Sequence, residues 1–320
     1  MQIRWKYLYL LLLLITVTIW LAVLVYPDRN LKIIACDVGQ GDGFLAIYGK
    51  TEILIDGGPN NNIVDCLSKY LPFWDRTIEI VLLTHPQKDH YMGLIEVFKR
   101  YKVKYFLANS LDSSSQEYSL LKSLVGGGTT NVINPTRGMS MRVGLIHLDI
   151  LHPSDEFLAE NTEELKDLKT DNRKNPSAIL RTSSITKGAE VLGAAISDKD
   201  PNIFSIVTIL RYKDFDGLFT GDISPEVSDM IAQELMTNDK RLIEYIKIPH
   251  HGSKNGLTQN LLKAVDPELA VISAGKNNSY GHPHEEILKI LRDQDIKILR
   301  TDQAGDVIIE SSGDNYWVVP

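Results

Sequence analysis

Four times along this chain a short apolar run stops at histidine or aspartate: IVLLTHPQKDH, LFTGD, IKIPHHGS, and AVISAG leading on to YGHPH. Runs of that length are what strands buried on both faces need, and polar groups gathered just past their ends can share one edge of a sheet. An α/β fold with its chemistry along that edge accounts for the pattern, because loops can present polar groups that a core cannot tolerate. A chain of 320 residues, 43% of them hydrophobic, can bury the core of one large domain.

The N-terminal segment is set apart from that domain. Tyr7 to Tyr26 is an uncharged, mostly apolar run, and about twenty such residues as a helix cross a hydrocarbon core of roughly 30 Å. Arg4 and Lys6 precede it, so the short tail is expected to stay cytoplasmic and the rest to be exported. The run is longer than the apolar part of a signal peptide and no small-residue cleavage site follows, which argues for an uncleaved single-pass anchor in the cell membrane. Residues 1–30 are therefore read as tail and anchor, with the membrane engaged through residues 7–26, and residues 31–320 as an extracytoplasmic domain.

Residues 1–30 hold Arg4, Lys6 and Arg29 against Asp28 alone, so the formal charge of −7 for the whole chain becomes −9 for the remainder. So acidic a domain has no general field to draw in polyanions, and contact with nucleic acid would have to be local or metal-mediated. Cys36 and Cys66 are the two cysteines; the sequence leaves open one disulfide or two buried thiols.

Past the anchor, Leu31–Asp37, Gly43–Tyr48 and Glu52–Asp56 read as a strand meander and Ile63–Tyr70 as a helix. Glu79–Thr84 reads as a strand, His85–His90 as a loop, and Tyr91–Tyr101 as a helix. Further strands are expected at 105–108, 146–151, 204–211, 216–220, 245–249, 269–273, 297–300 and 307–309, with helices at 225–235, 258–265 and 285–292. Residues 156–201 break the rhythm and read as a surface insertion or lid, with a disordered loop an equal alternative for the first half.

Of the eight histidines, His85, His90, His152, His250, His251, His282 and His284 lie beside turns or strand ends, and only His147 sits within a strand pattern. A lone imidazole is usually a half-buried hydrogen-bonding group. Here the imidazoles occur with carboxylates: Thr84 to His90 reads THxxxDH, and Asp222 ends its own apolar run. Converging imidazoles and carboxylates are what a divalent metal such as zinc needs.

The order DVGQGDG (37–43), LIDGG (54–58), THPQKDH (84–90), LFTGD (218–222), PHHGSKNG (249–256), YGHPH (280–284) and RTDQAGD (300–306) resembles the metallo-β-lactamase-like domain of ComEC-type DNA-uptake proteins. The resemblance covers about residues 31–310 and implies the four-layer αββα sandwich of the metallo-β-lactamase superfamily, with metal at the sheet edge. It implies a metal-dependent hydrolase, most simply a phosphodiesterase, acting on DNA or on a cell-envelope polymer. The cofactor is expected to be zinc, as one or two ions, with manganese an alternative. Asp89, His90 and Asp222 are the foremost ligands, His85 completes a second position, and His251 and His282 are favoured among the downstream histidines. Asp222 is placed to bridge two metals. Asp89 and His250 are the expected catalytic residues, with His250 or His284 giving a proton to the leaving group, and Asp56 is expected to order the metal loop instead of binding metal.

Three departures qualify the resemblance. Gln87 stands where the superfamily has an imidazole, and a neutral amide is a poor ligand. One apolar run is visible where that family has a multi-helix channel, so DNA transport is not carried over. The 156–201 segment is longer than expected. Gln87 also motivates a non-catalytic, anchored binding or scaffold protein, and the wider superfamily an amide or lactone hydrolase, as alternatives to the phosphodiesterase.

Overall fold

The computed structural model describes residues 4–25, 29–162, 186–187, 192, 195–238 and 243–320. The apolar N-terminal run forms helix α1 (Trp5–Val25), and its described side chains, which stop at Trp20, are all exposed. Among the described residues no helix is long and apolar enough to cross a membrane.

The rest builds two mixed sheets. The first has nine strands in the order β16-β15-β1-β2-β3-β4-β5-β6-β9. These are β1 (Leu31–Ala35), β2 (Phe44–Tyr48), β3 (Thr51–Ile55), β4 (Thr77–Leu83), β5 (Lys102–Ala108), β6 (Asn131–Ile133), β9 (Thr186–Lys187), β15 (Val307–Ser311) and β16 (Tyr316–Val319). The second has seven in the order β14-β13-β12-β11-β10-β8-β7: β7 (Ser140–Val143), β8 (Ile146–His152), β10 (Val207–Tyr212), β11 (Phe215–Phe219), β12 (Tyr245–Lys247), β13 (Leu269–Ile272) and β14 (Lys297–Arg300).

Three apolar cores make this a four-layer αββα sandwich. The first packs the outer face of the first sheet, through Ile34, Leu54 and Val81, against α2 (Asn62–Tyr70), α3 (Lys88–Arg100) and α4 (Gln116–Gly126). The second lies between the sheets, where Phe44 meets Phe219 edge to face with ring centroids 5.6 Å apart. The third packs the outer face of the second sheet against α6 (Pro225–Asn238), α7 (Gln259–Val265) and α8 (Glu285–Arg292). Strands in such a sandwich are covered on both faces, which is why they read as near-continuous apolar runs.

The structure corrects several expectations. α3 starts at Lys88, so Asp89 and His90 belong to its first turn and not to a loop. A carboxylate in a first turn also faces the positive end of the helix dipole. A short 3-10 turn occupies Pro201–Phe204 and delays β10 to Val207. α4, β6, β7, β16 and the short α5 (Asp155–Asn161) went unread. Residues 163–185 of the expected insertion lie outside the described residues, but its flanks belong to the fold: α5 opens it, and Leu192 and Ala195 are buried, with Ala195 bridging Leu111. Cys36 and Cys66 form a disulfide joining the end of β1 to α2.

At the opposite end of β3 from the histidines, buried Glu52 faces Glu79, whose Oε2 accepts its backbone N–H at 2.9 Å. Burial, then the neighbouring Glu79 carboxylate, pushes Glu52 up to about 9. Its folded value lies above the unfolded one, so the folded state holds a proton that the unfolded chain releases, and stability falls as pH rises through that window. The melting temperature of the wild type should therefore drop between pH 4.5 and about 9. Glu52→Gln keeps a donor in place without a titrating group and should flatten that part of the profile. An unchanged slope would show that Glu52 does not hold that proton.

Candidate metal centre

Strand direction decides what meets what. The C-terminal ends of β1, β3 and β4 lie at one end of the first sheet, and there they meet the loops that follow β11, β12 and β13. Asp42 comes from the Gly-rich loop after β1, Asp56 from the end of β3, and His85, Asp89 and His90 from β4 and the start of α3. Asp222 follows β11, and His251 follows β12. Asp56, His250 and His251 have positive φ angles of 59°, 51° and 53°, a conformation that costs non-glycine residues roughly 1–3 kcal/mol each and that the surrounding packing must impose. Gly41 lets its loop lie on the metal loop: a Cβ there would stand 2.2 Å from the Asp89 carbonyl oxygen.

Four residues form a compact donor cluster. One ligand atom each from Asp89, His90, Asp222 and His251 lies within 4.8 Å of all the others. Asp222 Oδ2 is 3.3 Å from His90 Nε2 and 3.2 Å from His251 Nε2, while Asp89 Oδ2 is 3.5 Å from His251 Nε2 and 4.0 Å from His90 Nε2. Tetrahedral zinc with bonds of about 2.0–2.1 Å has ligand-to-ligand edges of roughly 3.3 Å. Three of these four separations lie within about 0.2 Å of that edge.

Both imidazoles are aimed. His90 Nδ1 donates to Asp56 Oδ2 at 2.9 Å, and Asp56 is itself fixed by the Thr84 N–H and hydroxyl at 2.8 Å each. His251 Nδ1 donates to the Ser273 carbonyl at 3.0 Å. With protons on Nδ1, each ring turns its Nε2 lone pair into the cluster, the arrangement that metal-binding histidines use. Both Nε2 atoms are buried with no hydrogen-bond partner, and orphaned buried polar atoms are costly unless something fills the gap. The residues therefore fit one divalent ion. Asp89, whose side chain is 33% exposed beside three buried partners, marks the open side.

Electrostatics agrees. Burial opposes charge on His90 and His251, yet the Asp222 carboxylate, with Asp56 and Asp89 around His90 and Asp42 beside His251, raises both rings well above the usual imidazole range. Burial likewise opposes charge on Asp222, but His251, Lys247 and His90 hold it well below the ordinary carboxylate range. Without metal the cluster keeps protons that metal uptake must displace.

The other expected residues stand further out. His85 is buried with its ring centroid 4.1 Å from that of His90, and its Nε2 has no partner, but it is outside the four-donor cluster. Burial, then the charge of His90, pushes it down to about 3. His282 lies 6.4 Å from His251 between ring centroids, with Nδ1 3.4 Å from Gln40 Nε2. His250 is 5.9 Å from His282 and forms a rim with it. His284 Nδ1 accepts the Lys254 N–H at 3.0 Å, which removes it as a free proton donor at that atom. His152 Nε2 donates to the Ile203 carbonyl at 2.7 Å and is not one of the four donors.

Sequence reasoning missed Lys247 and Asp42. Lys247 is fully buried, and its ammonium donates to Asp222 Oδ1 at 3.0 Å, to the Gly221 carbonyl at 2.6 Å and to Asp42 Oδ2. Burial disfavours the charge, but Asp42 and Asp222 hold the lysine protonated. Asp222 thus turns Oδ2 to the two histidines and Oδ1 to the lysine.

Comparison with solved structures identifies the fold. The metallo-β-lactamase fold protein YhfI from Bacillus subtilis superposes with a TM-score of 0.51 over 90% of this chain and 100% of that one, at 10% identity. This is a metallo-β-lactamase fold. Among curated proteins, the metallo-β-lactamase domain is similar to ComE operon protein 3 of Bacillus subtilis (strain 168), 35% identical over 106 residues, which is 33% of this chain and 13% of that protein. It is also similar to Competence protein ComA of Neisseria gonorrhoeae, 35% identical over 88 residues, 28% of this chain and 12% of that protein. The matches thus span only a small part of either relative. No family model matches the chain. The likeness to the ComEC-type domain stands on these matches and on the ordered motifs.

Proposed function

We propose that this chain is a membrane-anchored, metal-dependent phosphodiesterase whose domain lies outside the cytoplasm. The observation that carries it is the pair of Nε2 atoms, each ring set by a partner on Nδ1, that stand within 4.0 Å of carboxylate oxygens of Asp89 and Asp222. Two imidazoles and two carboxylates suit zinc and also accept manganese. When bound, a divalent ion there polarises the attacked group and activates water. Asp56 and Ser273 orient the rings, Asp89 stands at the open side where the substrate arrives, and His250 on the rim gives the leaving oxygen its proton. His85 and His282 flank this path.

Anchoring by residues 7–26 agrees with the Cys36–Cys66 disulfide, which belongs in an oxidising compartment. Protease added to intact cells should digest residues 31–320; protection until the membrane is opened would reverse the orientation. The net charge of −9 left after residues 1–30 favours an envelope phosphodiester over long DNA, whose phosphates an acidic domain repels.

The chain purified in detergent, stripped by a chelator and titrated with zinc or manganese should take up one tight equivalent, because Lys247 occupies Asp222 Oδ1. The loaded protein should hydrolyse bis(p-nitrophenyl) phosphate. Metal uptake with turnover of amides or lactones alone would replace the phosphodiesterase reading, and no uptake would refute the site.

A further inference from the structure

The metal centre and the place where the chain enters the domain lie at opposite ends of the first sheet. β1 and β3 both pair antiparallel with β2, and β3, β4 and β5 pair in parallel, so β1, β3, β4 and β5 all run the same way. Their far ends lead into the metal centre. Their starting ends bring together Leu31, the Tyr48–Thr51 hairpin, the turn before β4 and the turn before β5. Tyr212 Oη donates to the Arg29 carbonyl at 2.9 Å and fixes the entering segment at this end.

The turn before β4 carries Phe73 and Trp74, 79% and 60% exposed, packed edge to face with centroids 4.8 Å apart. Asp75 N–H closes the turn on the Pro72 carbonyl at 2.9 Å, so both rings are held outward on ordered backbone. Beside them Arg76, Lys99, Arg100 and Lys102 are exposed, with Glu96 pairing Lys99 and Arg100. This corner is basic on an acidic domain. The starting ends of the second sheet instead carry Glu244, Asp266, Glu268 and Asp295 around one cleft.

Tryptophan with neighbouring lysine and arginine is the composition that settles at a membrane interface, where the ring sits at headgroup level and the cations meet anionic lipid. We infer that the Phe73–Trp74 corner docks on the anionic surface of the membrane that holds α1. The inference rests on the anchoring reading. The acidic corner is repelled, which tilts the domain onto β4 and β5. β4 has seven residues, and at about 3.3 Å each the strand stands the metal centre roughly 20 Å from the lipid. Substrate then reaches the site from the side away from the bilayer, as a polymer does and a lipid headgroup does not.

The test uses the full chain reconstituted in vesicles of phosphatidylcholine, with or without phosphatidylglycerol, whose acyl chains are brominated to quench nearby tryptophan. Of four tryptophans, Trp74 should be quenched more when phosphatidylglycerol is present, and added salt should reverse the gain by screening. Trp74→Phe should abolish that lipid-dependent difference while retaining metal. A difference that persists in the variant, or its absence from the wild type, overturns the docking. Alkaline carbonate extraction reads the anchor separately: release of both proteins refutes anchoring and the docking that rests on it, whereas retention with no lipid-dependent quenching refutes the docking alone.

Discussion

Replacing Asp222 by asparagine should empty the metal centre and reduce phosphodiester hydrolysis to background while leaving the domain folded. Asp222 supplies the oxygen that stands 3.2 and 3.3 Å from the two histidine nitrogens. A neutral amide of the same shape withdraws that ligand and its charge, yet its oxygen can still accept from Lys247, so the buried ammonium keeps both neighbours. Alanine should give the same loss of metal with a larger loss of stability, because Lys247 would then rely on Asp42 and the Gly221 carbonyl alone. The proton balance should shift as well. Asp222 is the foremost charge raising His90 and His251 against burial, so both rings should titrate lower in the variant. Metal content by mass spectrometry, the hydrolysis rate and circular dichroism check these outcomes together. A folded variant retaining metal and rate would remove Asp222 from the site.

Most strands were legible because a strand covered on both faces is apolar throughout, and β14 and α8 fall at the positions that their runs predict, whereas the packing of two sheets came only with the family resemblance. The start of α3 was not, since Lys88, Asp89 and His90 offer no apolar periodicity; the turn is held from Gln87, whose carbonyl accepts the N–H groups of His90 and Tyr91. The histidines after β12 and β13 were placed at the right edge, but order along the chain carries no distances, so it could not separate His251, inside the cluster, from His282, on its rim. Asp42 was hidden in a glycine-rich turn that reads as a tight loop and nothing more. Lys247 had a signal that was passed over: YIKIP is an apolar strand interrupted by a cation, in a β12 that is buried at every position. A lysine there needs carboxylates at hand, since burying an unpaired ammonium costs several kcal/mol.

Lys247→Met should lower the stability of the metal-free protein and enlarge its response to metal. Methionine keeps much of the aliphatic stem, so the main loss is one buried positive charge between Asp42 and Asp222. Removing one partner of a buried ion pair costs about 3–5 kcal/mol, which in a domain of this size is a fall in melting temperature on the order of 10 °C. The same change leaves the cluster more negative and frees Asp222 Oδ1, now held at 3.0 Å by the lysine. A divalent ion should then bind the folded state more tightly, and because binding to the folded state adds to stability, the rise in melting temperature on adding zinc or manganese should exceed that of the wild type. Oδ1 would also be free to meet a second ion, so metal content should rise above one equivalent. Thermal melts of the apo and loaded proteins, with metal content measured on each, separate these effects. Equal apo stability would show that Lys247 is not the cation holding the two carboxylates. A variant that is destabilised but still takes up a single equivalent would mean that Gln87, not Lys247, limits the site to one ion.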